Sequence, residues 1–359
     1  MRTGWLCVLV AAACTSPDAP GNLDAGSGDA APLDAGPGDA APVDAGPVDA
    51  TPLPTHCGAA GSLETIATGV LAGMDATRVF VWNDGALNAW PKGGGVPTRI
   101  ATQRSLAFAA SGPALYWGNG ATVVASEAGS QRTIPLTNPA AAAYEIIAAP
   151  GGGVFVLSSD TKVSTIELIG PGAIAPTTVV TAAYVSTMAA GGDALVWNSA
   201  LSQIMQRSSS TGVQQVLVQE PEVGGPLLVR GHELFNGRYT TPNTTEVETI
   251  QRRRLSDGML LASYPGRAGP YTNIGVDDTT LYVAKPRDFS IGPSGACQVV
   301  TGLFRTPLAG GPEALIDPSG TGKVLVDDDA VYYQIQPIST CCSRENCVSG
   351  PLTVGCYRK

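Results

Sequence analysis

Among the residues of this 359-residue chain that could form covalent links, bind metal ions or transfer protons are eight cysteines and two histidines. None of the cysteines has the C-x-x-C spacing typical of zinc or redox sites. Six of them lie in the part of the chain that follows residue 56: Cys57, Cys297, Cys341, Cys342, Cys347 and Cys356. An even number of cysteines in an exported chain indicates disulfides, and free buried thiols are the alternative.

The histidines are too few for histidine-based catalysis or metal binding. His56 ends a low-complexity segment, and His232 lies in a short Gly-His turn. A histidine cluster that works as a base or a metal site needs several rings close together. We therefore predict a solvated turn residue at position 232, with no catalytic residue and no metal-binding residue.

Clustered aspartates at two predicted turns could bind a cation. Asp277–Asp278 and Asp327–Asp329 offer the carboxylate oxygens that calcium prefers. Aspartate is also a common turn former, and the equivalent turns elsewhere in the chain carry Gly, Ser or His. We predict no cofactor, and calcium at these turns is the alternative.

Two glycine-rich stretches match catalytic or phosphate-binding motifs only in part. In residues 317–324, Asp317 stands where a phosphate-binding loop requires Gly, and Val324 stands where it requires Ser or Thr. Residues 292–296 lack the closing Gly of a nucleophile elbow. Both stretches are interpreted as loops.

A short apolar strand pattern with a central aromatic or aliphatic residue recurs seven times, every 36 to 50 residues. Its central residues are Phe80, Tyr116, Phe155, Val196, Phe235, Tyr282 and Tyr332. Each copy follows a short strand and a tight turn and precedes two further strands. Four short strands per copy predict an all-β fold, a seven-bladed β-propeller of four-stranded blades.

The two ends of the predicted propeller, residues 57–359, complement each other. The last copy stops after its third strand at 353–359, and residues 62–69 have the pattern of a missing fourth strand. Antiparallel pairing of these strands would close the ring and leave no exposed edge. It would also bring Cys57 and Cys356 to the same end, so we predict a bridge between them.

The first 56 residues are typical of an export signal followed by a tether. The apolar run from Trp5 to Ala13 is too short to span a bilayer and predicts a signal peptide over residues 1–13. Residues 24–53 repeat a five-residue Asp/Ala/Gly/Pro unit without any aromatic or basic residue. Such a segment cannot bury enough apolar surface to fold, so residues 14–56 are predicted to be a disordered tether.

Most of the negative charge lies in this tether. The chain has a formal net charge of −9, and residues 15–55 hold seven aspartates and no Lys or Arg. The predicted propeller is nearly balanced, with 20 basic and 23 acidic residues. Without a basic surface the chain is not expected to bind nucleic acid. We predict a monomer.

Two resemblances suggest a cellular location. The small residues directly before Cys14 resemble the lipobox of bacterial lipoproteins, with Ala11 where that motif prefers Leu. This resemblance implies that Cys14 is diacylated and attaches the chain to the membrane. The repeats resemble YWTD- and NHL-like propellers, particularly the "LYW…GG" propellers of Gram-negative lipoproteins. The implied location is the cell envelope, as an outer-membrane lipoprotein exposed to the periplasm or the surface; a secreted protein is the alternative.

Three long connections between second and third strands fall in consecutive blades, at 236–248, 285–301 and 334–352. They open onto one face and predict a raised rim, where function concentrates. Within the rim, Cys297 is predicted to form a disulfide with Cys341 or Cys342. Cys347 is predicted to form a disulfide with whichever of these two remains. The candidate ligand-binding residues, suited to anionic or carbohydrate partners, are Arg238, Tyr239, Arg287, Phe289 and Arg344. Drift in loop length without function is the alternative.

The predicted function is a non-catalytic binding module at the cell surface, for a protein, a glycan or a small ligand. The alternatives are a propeller enzyme (a hydrolase, lyase or quinoprotein) and a structural envelope protein. Propeller enzymes gather carboxylates, Arg or His at one axial face. Since this chain has almost no histidine, the sequence favours binding.

Overall fold

The computed structural model describes residues 57–102, 105, 107–160, 162–199, 202–239, 247–266, 272–291, 297–336, 339–342, 346–348 and 351–359. These residues form thirty β-strands, numbered in chain order, and no α-helix. No helix of the length and apolar character needed to cross a bilayer occurs in this part of the chain. The predicted signal peptide, Cys14 and the tether lie outside it.

The strands form seven sheets arranged in a ring, which is the predicted seven-bladed β-propeller. Each blade begins with its innermost strand and continues outward through antiparallel neighbours. Blade one contains β2 (Val70–Met74), β3 (Arg78–Asn83), β4 (Ala86–Pro91) and β5 (Thr98–Ala101). Blade two contains β6 (Phe108–Ser111), β7 (Ala114–Asn119), β8 (Thr122–Glu127) and β9 (Ser130–Pro135). Blade three contains β10 (Ala142–Ala148), β11 (Val154–Ser159), β12 (Ser164–Ile169) and β13 (Thr177–Ala182).

The next three blades repeat this order. Blade four contains β14 (Met188–Gly191), β15 (Ala194–Asn198), β16 (Gln203–Ser208) and β17 (Gln214–Gln219). Blade five contains β18 (Val223–Arg230), β19 (Glu233–Tyr239), β20 (Val247–Arg254) and β21 (Leu260–Pro265). Blade six contains β22 (Asn273–Val276), β23 (Thr280–Ile291), β24 (Cys297–Pro307) and β25 (Ala314–Asp317).

Blade seven joins the two ends of the domain, as the sequence predicts. Its strands, from inside to outside, are β26 (Gly320–Val326), β27 (Ala330–Ile335), β30 (Thr353–Arg358) and β1 (Leu63–Thr68). The seam with blade one is also held by Gln334, whose Nε2 donates to the Gly69 carbonyl at 2.9 Å. Its Oε1 accepts from the Leu71 N–H at 2.8 Å. Closure therefore removes the free sheet edges that an open ring would expose.

The seven repeated central residues all lie in second strands and pack between blades. Each of them is at most 5 % exposed. Apolar residues alternate along the strands, so each sheet presents an apolar face to both neighbours. The Phe80 and Phe108 rings, from blades one and two, lie 4.9 Å apart. A Cβ atom at Gly73 would lie 2.6 Å from the Phe108 ring, so this close approach requires glycine.

The antiparallel order defines two faces of the ring. The links between blades and the connections between second and third strands lie on one face, here called the link face. The turns between first and second strands and between third and fourth strands lie on the other, here called the turn face. Seven first strands line the central channel that runs between the two faces.

Two interpretations of the sequence need correction. Residues 317–324, interpreted as a loop, contain the last residue of β25 and the first five of the seven residues of the channel strand β26. The connections at 285–301 and 334–352 were also treated as loops. Most of the first is the extended hairpin of β23 and β24, and the second contains β28 (Ser339–Cys342) and β29 (Asn346–Val348), which continue that sheet. Residues 292–296 lie outside the described part of the chain.

Candidate functional site

Four of the seven channel strands carry a β-bulge. They are the first strands of the odd-numbered blades: one, three, five and seven. In each case the register with the second strand shifts in the middle of the channel strand. The unpaired residues are Ala72, Tyr144, Gly225 with Pro226, and Gly322 with Lys323. The channel strands of blades two, four and six keep a regular register.

The local sequence explains two of these bulges. Pro226 has no N–H to donate to the ladder, and the preceding Gly225 has φ of 72°. Gly322 has φ of 59°, which an L-residue adopts only at a cost. A bulge bends the strand, frees backbone groups and redirects side chains, so it is a common device next to binding and active sites.

Lys323 sits on the bulge of blade seven and reaches the bulge of blade one. Its Nζ donates to the free carbonyl of Ala72 at 2.5 Å. Burial lowers the pKa of the Lys323 ammonium, and attraction by the Glu145 carboxylate opposes that shift. Lys323 is the fourth of the seven residues of β26, so it lies about halfway along the channel.

Glu145 faces Lys323 from the other side of the ring, in blade three. It is likewise the fourth residue of its seven-residue channel strand. Its Oε2 accepts from the Met188 N–H at 3.0 Å, and its Oε1 accepts from the Thr187 hydroxyl at 3.1 Å. Burial raises the pKa of Glu145 to about 7, although these hydrogen bonds and Lys323 act in the opposite direction.

Three tyrosines surround the link-face end of the channel. The Tyr144 hydroxyl donates to the Val185 carbonyl at 2.5 Å, and Tyr144 is 39 % exposed. The Tyr239 hydroxyl accepts from the N–H of Gly225, on the bulge of blade five, at 2.7 Å. Tyr184, in the link between blades three and four, is 46 % exposed. Burial is the main cause that raises the pKa of Tyr144 and of Tyr239, and the nearby Tyr184 adds to both shifts.

We call these residues the channel site: Glu145, Lys323, Tyr144, Tyr184 and Tyr239. The site combines a cation, a carboxyl group with a pKa near neutrality and three hydroxyl-bearing rings at one end of the channel. It can hold a ring-bearing polar molecule by hydrogen bonds and ring contacts. Glu145 also has the pKa of a general acid or base.

The candidates predicted from the sequence are only partly brought together. Tyr239 belongs to the channel site. Arg238 is 45 % exposed at its side chain and forms an ion pair with Glu222 at 2.8 Å. Arg287 and Phe289 lie in the extended strand β23, and their side chains fall outside the described part of the chain. Arg344 also lies outside it.

The described strands place several of the cysteines at neighbouring backbone positions, and the bridges themselves stay predictions. Cys57 and Cys356 are adjacent, with Cα atoms 5.4 Å apart. Cys297 lies opposite Cys341 in the pairing of β24 with β28, and Cys341 lies opposite Cys347 in the pairing of β28 with β29. Both registers place cysteine Cα atoms at neighbouring-strand distance, which suits a disulfide. Cys342 lies opposite Asn346 instead.

The aspartate turns are organised by hydrogen bonds within the protein. Asp277 Oδ1 accepts from the N–H groups of Thr279 and Thr280, and its Oδ2 accepts from Lys359 Nζ at 2.9 Å. Asp327 caps its turn in the same way and pairs with Lys92 at 2.6 Å. Among the described residues, no group of three or more His, Cys, Asp or Glu side chains is arranged to hold a metal ion.

Sequence reasoning missed Glu145, Lys323, Tyr144 and Tyr184. No motif in the sequence marks Tyr144 or Glu145, and Lys323 lies within residues 317–324, the glycine-rich stretch interpreted as a loop. One signal was available. A charged residue in the middle of a first strand, where the other copies carry uncharged residues, marks a side chain directed at the channel rather than at a neighbouring blade.

Comparison with known proteins shows the fold alone. No family model and no curated protein sequence matches the chain. Among solved structures, virginiamycin B lyase from Staphylococcus aureus is 13 % identical with a TM-score of 0.56, covering 82 % of this chain and 99 % of its own. U3-55K is 13 % identical with a TM-score of 0.54, covering 83 % and 98 %. The WD40 repeats of RRP9 are 11 % identical with a TM-score of 0.53, covering 82 % and 100 %. These propellers have different roles, so the fold leaves the function of this chain open.

Proposed function

We propose that this protein is a lipid-anchored, non-catalytic binding module of the bacterial cell envelope, whose ligand occupies the channel site. The observation that carries the binding role is the set of four bulges on the channel strands. They place Lys323, Tyr144 and the Gly225–Tyr239 contact on one channel, although these residues come from separate blades.

The extended sheet of β23, β24, β28 and β29 supports a binding role on the link face. It grows from the second-to-third-strand connections of blades six and seven, so it stands on the same face as the three tyrosines. A larger partner could contact this rim while a smaller group enters the channel. Candidate rim contacts remain Arg238, Arg287, Phe289 and Arg344.

A propeller enzyme is the second candidate function, and one observation favours it. Glu145 has a pKa near 7 and lies on the same channel as a lysine ammonium, which suits proton transfer. Both of its oxygens already accept hydrogen bonds from fixed groups in the next blade. We therefore propose that Glu145 holds the start of blade four in place through Thr187 and Met188 and does not transfer protons.

The test of the binding role is retention and recovery of ligands. The purified propeller is equilibrated with the low-mass fraction of a bacterial envelope digest, and retained compounds are identified by mass spectrometry before and after binding. We expect saturable retention of compounds that are recovered unchanged. Tyr184→Ala should abolish it, because this exposed side chain lies at the channel mouth. Ile174→Ala is the matched control, since Ile174 is 81 % exposed on the turn face.

The outcomes separate the candidates. Chemical change of the retained compound would replace the binding module by the enzyme. Equal retention by wild-type protein and Tyr184→Ala would place the ligand away from the channel, and no retention at all would contradict a small-ligand role.

The envelope location follows from the sequence of the first 56 residues and has its own test. Metabolic labelling with a palmitate analogue should mark the wild-type chain and not Cys14→Ser. Equal labelling of the two chains would exclude the lipid anchor and leave secretion as the alternative.

We also propose a Cys57–Cys356 disulfide, which is consistent with the proposed envelope location. The Cα separation of 5.4 Å suits a bridge, and an oxidising compartment would allow it to form. The bridge would tie the N-terminal strand to the last blade, next to the pairing of Glu64 with Cys356. Non-reducing peptide mapping should recover the two cysteines as one linked peptide; recovery of both as free thiols is the opposing result.

A further inference from the structure

We infer that the channel site recognises a small molecule that carries a carboxylate on a ring. In this assignment the carboxylate is held by Lys323, and the ring lies among the tyrosines at the link-face mouth. The inference rests on the proposed function for the location of the ligand, and it adds the chemical class of that ligand.

The Lys323 ammonium has unused donors that face the channel. It carries three N–H groups, and the hydrogen bond to the Ala72 carbonyl uses one of them. Within the described residues, no carboxylate lies within ion-pair distance of Lys323 Nζ, and Glu145 acts on it only at longer range. A half-buried cation with two free N–H groups is stabilised by an incoming anion, because the anion replaces lost hydration with charge-assisted hydrogen bonds.

The remaining polar groups of the site also favour an acceptor-rich ligand. The Tyr239 hydroxyl accepts from the Gly225 N–H, so its own proton can still be donated. The Tyr184 hydroxyl forms no hydrogen bond with any described residue and is a second free donor. Both oxygens of Glu145 already accept from Thr187 and Met188. Lys323, Tyr239 and Tyr184 therefore offer unused donors, and carboxylate oxygens are suitable acceptors.

The tyrosine rings define the rest of the ligand. Tyr144 and Tyr184 are 39 % and 46 % exposed, which is high for tyrosines of a folded domain that are not on its outer edge. Exposed tyrosine rings offer flat faces for sugar or aromatic rings, and the Tyr144 ring is held in place by the hydrogen bond of its hydroxyl. Acidic sugars and aromatic carboxylates share this chemistry.

The experiment uses isothermal titration of the full propeller with two pairs of probes. Galacturonate is compared with galactose, and benzoate with benzyl alcohol, so each acid has a neutral counterpart with the same ring. We expect at least one acid to bind, and to bind at least about tenfold more tightly than its neutral counterpart, because a charge-assisted hydrogen bond is the difference. The acid that binds distinguishes a sugar from an aromatic ligand.

Three variants locate the effect. Lys323→Met should weaken binding of the acid by about ten- to hundredfold. Lys323→Arg should retain part of the affinity, because the charge stays. Lys162→Met, which removes an exposed lysine from the same face, should bind like the wild-type protein. Far-UV circular dichroism and the thermal transition show that each variant is folded.

Several results would overturn the inference. They are failure of both acids to bind, equal affinity for acid and neutral probes, wild-type affinity in Lys323→Met, or an equal loss in Lys162→Met. In each of these cases the proposed binding function still stands if envelope compounds are retained in a Tyr184-dependent way. If that retention also fails, the proposed function fails with it.

Discussion

The turn face and the interior of the channel differ in how their charged side chains are paired. On the turn face, aspartates at the first turns of blades one, six and seven each cap two backbone N–H groups and bind a cation. The cations are Arg78, Lys359 and Lys92, at 2.6, 2.9 and 2.6 Å. Along the channel towards the link face, Lys323 and Glu145 have no such close partner of opposite charge among the described residues.

This difference separates groups that stabilise the fold from groups that are available to a ligand. A charge that is saturated by hydrogen bonds within the protein stabilises a turn and has little capacity left for binding. A buried charge without a close partner costs stability, and such sites are typically functional. Mutations of the turn-face aspartates are therefore expected to lower the free energy of unfolding. Mutations in the channel site are expected to lower ligand affinity instead.

The largest stability effect is expected at Asp277. Asp277→Ala removes a carboxylate that accepts from two backbone N–H groups, Tyr282 and Lys359, and should lower the free energy of unfolding by about 3 kcal/mol. Burial alone raises the pKa of Asp277, but the bonds from Thr279 and Lys359 outweigh it and lower the pKa to about 2. Because the folded pKa is depressed, this stability is present above pH 4 and is lost as the pH falls towards 2.

Urea denaturation at pH 7 and pH 3 measures this effect. The control is Asp257→Ala, which removes an exposed ion pair with Arg254 and should change stability by less than about 0.5 kcal/mol. Equal effects of the two substitutions would show that the turn-face network does not stabilise the blades.

The next effect is the pH dependence contributed by Glu145. Its folded pKa, about 7, lies above the ordinary value of 4.5. Its contribution to stability is therefore fully present below pH 4.5 and is lost as the pH rises through 7. Glu145→Gln should remove about 2 kcal/mol of the difference in stability between pH 5 and pH 8.5. Thermal and urea unfolding at these two pH values give the comparison; a variant with the wild-type pH profile would show that Glu145 is not desolvated.

A smaller effect of the opposite sign is expected at Lys323. Lys323→Met replaces a half-buried cation that has one hydrogen bond by an apolar side chain of similar length. Stability should stay unchanged or rise by about 1 kcal/mol, even though the variant loses affinity for the acid probes. A loss of more than about 2 kcal/mol would mean that the lysine stabilises the fold. It would weaken the contrast between the turn-face aspartates and the channel site.

The smallest effect is expected at Tyr184. Its side chain is 46 % exposed, so Tyr184→Ala should change the free energy of unfolding by less than about 0.5 kcal/mol. Tyr184 also contributes to the raised pKa values of Tyr144 and Tyr239, which allows a second measurement. Spectroscopic titration should show lower pKa values for Tyr144 and Tyr239 in Tyr184→Ala than in the wild-type protein, since one source of repulsion is removed.

The sequence by itself determined the architecture. The repeated strand pattern located every second strand, because Phe80 and its six equivalents must be buried between blades. The missing last strand and the unpaired first one determined how the ring closes, because a free edge in blade seven would be costly. These features depend on local alternation and on counting strands, and both can be read along the chain.

Only the tertiary structure decided where the channel site lies. A bulge is a shift of register between two strands, so the sequence of one strand does not specify it unless a Gly or Pro forces it, as at Gly225–Pro226. The Glu145–Lys323 arrangement depends on closure of the ring, which brings blades three and seven to opposite sides of one channel. The pKa values follow from burial at that position, and burial exists only once the ring has formed.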